Sequence, residues 1–193
     1  MEQAYTADKT FDRIDYTKTP LAKGEYDNCV FKNCDFSNSD LSEYKFTDCD
    51  FAGCNLSLAK LTKTALRDTK FKDCKLLGLP FNDCAEFGLS FTFDNCILNH
   101  SSFEQLKIKK THFKDSQFQE TDFTECDLTG SVFDNCNLDR ALFDKSNLEK
   151  TDFRSSYNYS IDPERNRIKK ARFTLPGVTG LLDKYDINIE NKT

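Results

Sequence analysis

The segment from Thr111 to Phe153 repeats every five residues, and this period constrains the fold more than any other feature of the chain. A helix would wind an apolar stripe of this period around its axis, and a strand would send alternate large side chains to opposite faces. The pattern therefore predicts a solenoid that turns a corner every five residues and buries its large residues along the axis. These residues are Phe113, Phe118, Phe123, Leu128, Phe133, Leu138, Phe143, Leu148 and Phe153, and a small residue stands two positions before each.

The same phase covers most of the 193 residues. It starts irregularly at Phe11, holds without a miss from Phe31 to Phe81, and is regular again from Phe93. Pro163 interrupts it near the end, and Pro176 suits the first turn of a helix. We therefore expect a loose terminus over 1–10 and a solenoid over 11–173 with an irregular loop over 156–166. A tail follows over 174–193, and in it we expect 176–185 to be a helix that caps the last coil.

The phase breaks over 82–92, because Phe81 and Phe93 are twelve residues apart where two repeats need ten. The simplest interpretation adds one residue on each side of Phe87, which then keeps a core position between two bulges. Bulges re-aim side chains and are common next to functional sites. We expect a contact bulge here, and the alternative is an insertion that the fold merely tolerates. The residues of this bulge are Glu86, Phe87, Gly88 and Phe91.

The nine cysteines follow the repeat. Cys84 keeps the phase into the break, and the others all stand two residues before a core Phe or Leu, in a position that also takes Ser, Thr or Ala. The repeat thus predicts buried small thiols and explains the two C-x4-C spacings without a metal or a disulfide framework. The eight regular cysteines are Cys29, Cys34, Cys49, Cys54, Cys74, Cys96, Cys126 and Cys136.

No residue pattern in the chain indicates an enzyme. The two histidines, His100 and His112, fall in outward positions of the repeat, and their spacing gives no metal cluster. The phosphate-binding and hydrolase motifs G-x-x-x-x-G-K-[ST], G-x-S-x-G and H-E-x-x-H do not occur. We therefore predict a protein that has no catalytic, cofactor-binding or metal-binding residues.

The charge pattern favours a protein partner over nucleic acid. The formal net charge of -5 lacks the basic excess of a general nucleic-acid binder. No apolar run suits a membrane span, and the first residues lack the apolar core of a signal peptide, so we expect a cytoplasmic protein. Residues 111–152 hold ten acids and four bases, which is either a solvated face or a surface that imitates DNA phosphates. The acids expected to bind a partner are Asp115, Glu120, Asp122, Glu125, Asp127, Asp134, Asp139, Asp144 and Glu149.

The repeats CDFSN, SDLSE, CDFAG, CNLSL, TDFTE, CDLTG and CNLDR resemble the A(D/N)LXX consensus of the pentapeptide repeat family, and the resemblance spans roughly 11–173. It implies an all-β solenoid, a right-handed quadrilateral parallel β-helix with four pentapeptides per turn and about eight coils. Ladders twenty residues apart, such as Phe113–Phe133–Phe153, would then run along a rod about 40 Å long, since parallel backbones are spaced about 4.8 Å apart.

Two segments, YDNCVFKNCDFSNSDL and LLDKYDINIE, are similar to the quinolone-resistance subgroup of that family, the Qnr-type and MfpA-like proteins. The resemblance implies a rod that pairs end to end, mimics duplex DNA without binding nucleic acid itself, and binds DNA gyrase and topoisomerase IV, with quinolone protection as a consequence. The chain departs from the subgroup because it lacks two long projecting loops and carries an unmatched SIDPERNR segment. The alternative function is a scaffold rod with an unrelated protein partner.

The tail carries more apolar residues than one short capping helix needs. We expect Leu181 and Tyr185 to cover the last coil and the others to form an exposed patch. A two-fold contact between such ends closes on itself and predicts a homodimer, whereas folding of the whole tail over its own solenoid would leave a monomer. The residues of the expected interface are Val178, Leu181, Leu182, Tyr185, Ile187 and Ile189.

Overall fold

The computed structural model of the chain describes residues 4–190 and forms a four-sided coil of short parallel strands. Each coil takes twenty residues, so that Phe113 pairs with Phe133 and Phe31 with Phe51. The strands are β1 (Ala4–Ala7), β2 (Thr10–Asp12), β3 (Gly24–Asp27), β4 (Val30–Lys32), β5 (Lys45–Thr47), β6 (Asp50–Ala52), β7 (Ala65–Arg67), β8 (Thr69–Lys72), β9 (Phe91–Asp94), β10 (His112–Lys114) and β11 (Val132–Asp134).

Two of the four sides are sheets, and single β-bridges join the coils on the other two. We name the sides by their core residues: side one carries Phe113, side two Phe118, side three Phe123 and side four Leu128. Each corner takes the name of the side that it follows. Side one is the seven-stranded sheet β2-β4-β6-β8-β9-β10-β11, and side four holds the sheet β1-β3-β5-β7. The predicted pentapeptide solenoid is confirmed.

The core is a column of stacked aromatic rings. The rings of Phe113 and Phe133 lie 4.5 Å apart and those of Phe133 and Phe153 lie 5.2 Å apart, with planes inclined by 13° and 8°. All three side chains are fully buried. Their stacking follows from the parallel register, which places the same side chain at the same position in every coil.

Many of the small residues before the core positions donate a hydrogen bond to the preceding coil. The hydroxyl of Thr121 donates to the carbonyl of Leu98 at 3.0 Å, and the thiol of Cys74 donates to the carbonyl of Phe51 at 3.3 Å. All nine cysteines are free and buried, which confirms the predicted packing role. Burial raises the pKa of Cys49, Cys84 and Cys136 to about 12, so these thiols stay protonated at neutral pH.

The prediction for the phase break is wrong. Phe87 does not occupy a core position, because its side chain is 83% exposed, whereas Phe91 is buried at 4%. Phe91 pairs with Thr69, a position that elsewhere holds a small residue, and its ring reaches Phe81 and Phe93 at 5.4 and 5.1 Å. Phe91 thus fills the space that an inward-pointing Phe87 would have taken.

The described part of the N-terminal segment is not loose. Strand β1 pairs with β3 over four residues, from Ala4↔Gly24 to Ala7↔Asp27. Residues 1–3 lie outside the described part of the chain. A period of twenty residues links Thr6 to the core residue Tyr26, but Thr6 is neither Phe nor Leu, so the five-residue pattern does not show this pairing.

The C-terminal segment caps the last coil, but with two short 3₁₀-helices, Pro176–Leu181 and Asp183–Tyr185, and not with the expected single helix over 176–185. Leu181 packs against the core as expected. Tyr185 does not, since it is 51% exposed and its hydroxyl donates to Glu164 at 3.1 Å. Residues 191–193 lie outside the described part.

The expected loop over 156–166 is the base on which the cap rests. Tyr159 and Ile161 are buried, and the amide of Ile161 donates to the carbonyl of Gly180 at 2.9 Å. A Cβ at Gly180 would lie 2.2 Å from the carbonyl oxygen of Tyr159, so only glycine permits this approach. The ammonium group of Lys184 joins the same segment at 2.7 Å from Asp162, and that hydrogen bond lowers the pKa of the Asp162 carboxyl.

Candidate interaction surfaces

Five of the nine acids expected to bind a partner lie together in the C-terminal half of the rod. Side three carries Asp122 in its centre, which the β-bridge pairs with Leu142 of the next coil. Corner two, at one edge of this side, carries Glu120 and Asp139, and corner three, at the other edge, carries Glu125 and Asp144. We call these five residues, together with Glu104, the acidic side.

Glu104 belongs to the acidic side although the charge count of 111–152 missed it. It follows Phe103, whose ring stacks 5.1 Å from that of Phe123, so Glu104 lies one coil above Thr124. A count by coil position, in steps of twenty, would have found it in the sequence.

The other four acids lie elsewhere. Asp115 and Asp134 are at corner one, Asp127 is on side four, and Glu149 is at corner four. A step of five residues moves a side chain to the next side of the rod, so a run of acids in sequence spreads around the axis and does not form one face.

Basic residues one coil away neutralise part of the acidic side. Arg140 lies 3.1 Å from Glu120 and 3.4 Å from Asp139. Lys145 lies 3.7 Å from Glu125, and Arg165 lies 2.6 Å from Asp144. Among the described residues, Asp122 and Glu104 have no cationic partner, and Asp122 accepts a hydrogen bond from the amide of Thr124 at 2.8 Å. These exposed pairs add little stability, so they leave the side available to a basic partner.

Corner four, diagonally across the rod, has the opposite charge in the same half of the molecule. Its exposed lysines are Lys109, Lys110, Lys150, Lys169 and Lys170. Two acids moderate it: Glu149 pairs with Arg167 at 2.7 Å, and Asp127 pairs with Lys109 at 3.1 Å. Burial alone would raise the pKa of Asp127, but hydrogen bonds from Thr129 and Lys109 outweigh it and lower that pKa. The C-terminal half is therefore acidic on one side and basic on the opposite corner.

The two histidines are both exposed, as expected for surface residues. The Nδ1 atom of His100 lies 3.3 Å from the carboxylate of Glu120 at corner two. His112 is on side one, beside the basic corner.

The phase break presents three of the four residues expected in the contact bulge. Glu86, Phe87 and Gly88 project from the rod, in a turn closed by the hydrogen bond from the amide of Leu89 to the carbonyl of Glu86 at 3.2 Å. The guanidinium of Arg67 covers the ring of Phe87 at 5.5 Å. Phe91, the fourth residue, is in the core and cannot contact a partner.

The C-terminal end carries an exposed apolar patch. Val178, Ile187 and Ile189 are 37%, 55% and 50% exposed, while Leu181 and Leu182 are partly buried. Leu175, which sequence reasoning left out, is the most exposed at 88%. Its place just before Pro176, outside the five-residue phase, was the signal that could have found it.

The family model for the pentapeptide repeat region matches two overlapping segments, 25–92 and 85–153, which together span well over half of the chain. The chain belongs to the pentapeptide repeat family. No curated protein matches the sequence of this pentapeptide repeat protein.

A solved structure of the family agrees with this fold. A trypsin-treated variant of QnrB1, a plasmid-mediated fluoroquinolone resistance protein, superposes with a TM-score of 0.63 at 16% identity, covering 97% of this chain and 100% of that one. Full-length QnrB1 gives 0.45 at 18% identity, covering 95% and 100%. HetL, a pentapeptide repeat protein involved in heterocyst differentiation regulation in Nostoc sp. strain PCC 7120, gives 0.38 at 12% identity, covering 88% and 84%. At these identities the likeness concerns the fold.

Within residues 4–190 of the pentapeptide repeat rod, no three side chains of the metal-binding types converge on one point. The same residues contain no helix of the length and apolarity that a membrane crossing requires.

Proposed function

We propose that this pentapeptide repeat protein is a non-enzymatic, cytoplasmic DNA mimic that binds DNA gyrase or topoisomerase IV and thereby gives protection from quinolones. The observation that carries the proposal is the acidic side. Six carboxylates lie there over three coils, on one continuous surface of a stiff rod.

The spacing of these charges is of the right order for a DNA mimic. Six acids over three coils of about 4.8 Å give one acid per about 2.4 Å of axis, against one phosphate per about 1.7 Å of duplex. The ion pairs with Arg140, Lys145 and Arg165 reduce the net density, and they can open when a basic partner offers competing arginines and lysines. Such a surface would attract the DNA-binding groove of a topoisomerase without any contact to nucleic acid.

A homodimer through the apolar end would extend the mimic. Val178, Ile187 and Ile189 are exposed there, and a two-fold contact between two such ends doubles the rod to about 80 Å. At about 3.4 Å per base pair that length resembles somewhat over twenty base pairs. This rod would span a groove built for duplex DNA.

A supercoiling assay with purified gyrase tests the proposal. The protein should inhibit supercoiling at low salt, lose that effect as salt rises, and be competed by duplex DNA. Added to a gyrase reaction that contains a quinolone, it should lower the yield of cleaved DNA. Unchanged supercoiling at low salt, with a protein that is fully folded by circular dichroism, would contradict topoisomerase binding.

The second function, a scaffold rod with an unrelated protein partner, is favoured by the bulge. Phe87 is presented outward on a three-residue projection, and an exposed aromatic side chain is a common anchor in protein interfaces. The salt dependence of binding and the effect of mutation distinguish the two functions. A scaffold that binds through Phe87 loses its partner in Phe87→Ala and is little affected by salt, whereas a DNA mimic shows the reverse.

A further inference from the structure

The hydrogen-bond ladder of side four is interrupted below the bulge. The sheet of that side ends at β7, and its bridges resume only at Lys107↔Asp127. Among the described residues, no backbone hydrogen bond joins residues 84–90 to residues 105–111. On side two the ladder continues through the same level, from Lys75↔Ile97 to Ile97↔Gln117.

Ser90, which follows the projecting turn, bonds to the coil above it. The amide of Ser90 donates to the carbonyl of Leu66 at 3.0 Å, and the amide of Thr69 donates to the carbonyl of Ser90 at 3.1 Å. The hydroxyl of Ser90 also accepts from the amide of Asp68 at 2.7 Å. The segment with the two extra residues thus forms its hydrogen bonds with the coil above. On this side, the described residues of the coil below have no backbone hydrogen bond to that segment.

The coil below therefore presents free donors. In the three following coils the equivalent amides of Asp127, Asn147 and Arg167 each donate to the coil above, at 2.8, 2.9 and 3.0 Å. The amide of Lys107 has no such acceptor in the described structure. The amide of Lys109 has no acceptor in the described structure either. In the next two coils the equivalent amides, of Thr129 and Glu149, donate to the side chain two residues before them. The residue two before Lys109 is Lys107, whose side chain is not an acceptor.

A cavity of about 310 Å³ occupies this gap. Lys107, Lys109 and Lys110 line its lower wall, and all three are exposed. Among the described residues, Lys107 and Lys110 have no ion-pair partner, while Lys109 lies 3.1 Å from Asp127. The remaining ionisable lining is Lys70, His112 and the carboxylate of Asp68, which accepts from the Ser90 hydroxyl at 3.0 Å. Lys70 lies 3.6 Å from Asp50 outside the cavity.

The back of the cavity is apolar. Leu89 is partly buried against the core, and Phe91 and Ile108 close the wall behind it. A cavity of this size with an apolar wall and a few convergent polar groups has the character of a small-ligand site. Paired backbone amides with lysines beside them are a recurrent way to hold an anionic oxygen cluster.

We propose that the cavity between the bulge and the 105–111 coil binds a small organic anion, a phosphate or carboxylate on a compact apolar group. The anionic oxygens accept from the amides of Lys107 and Lys109 and pair with Lys107 and Lys110. The apolar group packs on Leu89. This site is separate from the acidic side, because its lining residues belong to side four, corner four and side one.

The test is an amide NMR titration of the whole protein with phenyl phosphate. Inorganic phosphate and benzyl alcohol are the two half-ligands, since one supplies only the anion and the other only the apolar ring. Benzoate is the carboxylate. We expect the Lys107 and Lys109 amide signals to move most, and phenyl phosphate to bind at least tenfold more tightly than either half-ligand. The comparison of phenyl phosphate with benzoate decides which anion the site prefers. Equal affinity for inorganic phosphate and phenyl phosphate would overturn the apolar part of the proposal.

A pair of double variants separates this site from general attraction to a basic corner. Lys107→Gln with Lys110→Gln should weaken phenyl phosphate at least tenfold, and Lys150→Gln with Lys170→Gln, on the same corner but outside the cavity, should leave it within twofold. Both pairs remove two exposed charges, so the fold should be unaffected. Equal losses in the two variants, or signal changes spread evenly over all lysines of corner four, would show adventitious binding and overturn the site.

Discussion

The ring of Phe91 lies 5.1 Å from the ring of Phe93, two positions along strand β9, and both side chains enter the core. Residues two apart in a strand point to the same face, so this strand supplies two aromatic rings, where the same position of the next three coils holds Thr111, Ser131 and Thr151 beside a single Phe. This substitution of Phe for a small residue compensates for the outward position of Phe87.

Phe91→Ala should therefore destabilise the protein about as much as Phe133→Ala, by about 3–5 kcal/mol, through lost burial and the cavity left behind. Phe87→Ala is the control and should change the free energy of unfolding by less than about 0.5 kcal/mol, because the ring is exposed. Urea denaturation followed by circular dichroism measures all three. A small effect at Phe91 together with a large one at Phe87 would restore the interpretation in which Phe87 holds the core position.

The buried thiols should make the fold sensitive to alkali. The folded-state pKa of Cys49, Cys84 and Cys136 is raised from 9.0 to about 12, so these thiols bind their protons more tightly in the folded state. Their contribution to stability is complete below pH about 9 and is lost as pH rises toward about 12. Urea midpoints at several pH values in this window should fall.

The matched variant is Cys84→Ala with Cys136→Ala, which the packing position accepts because Ala141 fills it elsewhere. It should start less stable than the parent at pH 8 and show a shallower loss above pH 9. A parallel decline in parent and variant would assign the alkaline effect to other groups. The thiols should also react slowly with a bulky thiol reagent until the protein unfolds.

Neutralising four of the six acids of the acidic side should weaken topoisomerase binding without unfolding the rod. The variant changes Glu104, Asp122, Glu125 and Asp139 to the corresponding amides, and it should weaken gyrase binding at least tenfold and flatten its salt dependence. The control changes Asp115 and Asp134 at corner one and should bind within about twofold of the parent. Gyrase affinity unchanged in the fourfold variant would contradict DNA mimicry by this side and leave the scaffold function.

The apolar end should determine the oligomeric state. Ile187→Asp places a charge on a side chain that is 55% exposed, so it should yield a folded monomer from a dimeric parent. Leu142→Asp, on side three and 52% exposed, is the control and should remain dimeric. Light scattering at several concentrations gives the mass of each. A parent that is monomeric at high micromolar concentration would rule out the dimer.

The five-residue period was enough to predict the coil. A Phe or Leu at every fifth position with a small residue two before it admits one periodic structure, and this is why the stack from Phe113 through Phe133 to Phe153, the burial of the cysteines and the outward place of His100 were all predicted correctly. Periodicity is a local property of the chain, repeated in each coil, so it can be read without knowledge of distant contacts.

The tertiary structure decided what happens where the period fails and how the surface is grouped. Which aromatic residue enters the core at the break depends on the space left by the neighbouring coils, and Phe91 fills it because its strand registers with Thr69. The acids of 111–152 spread around the axis because charge in a solenoid is grouped by steps of twenty residues and not by proximity in sequence. The unpaired amides of Lys107 and Lys109 have no local signal at all, since a backbone donor lacks a partner only through the position of the coil above it.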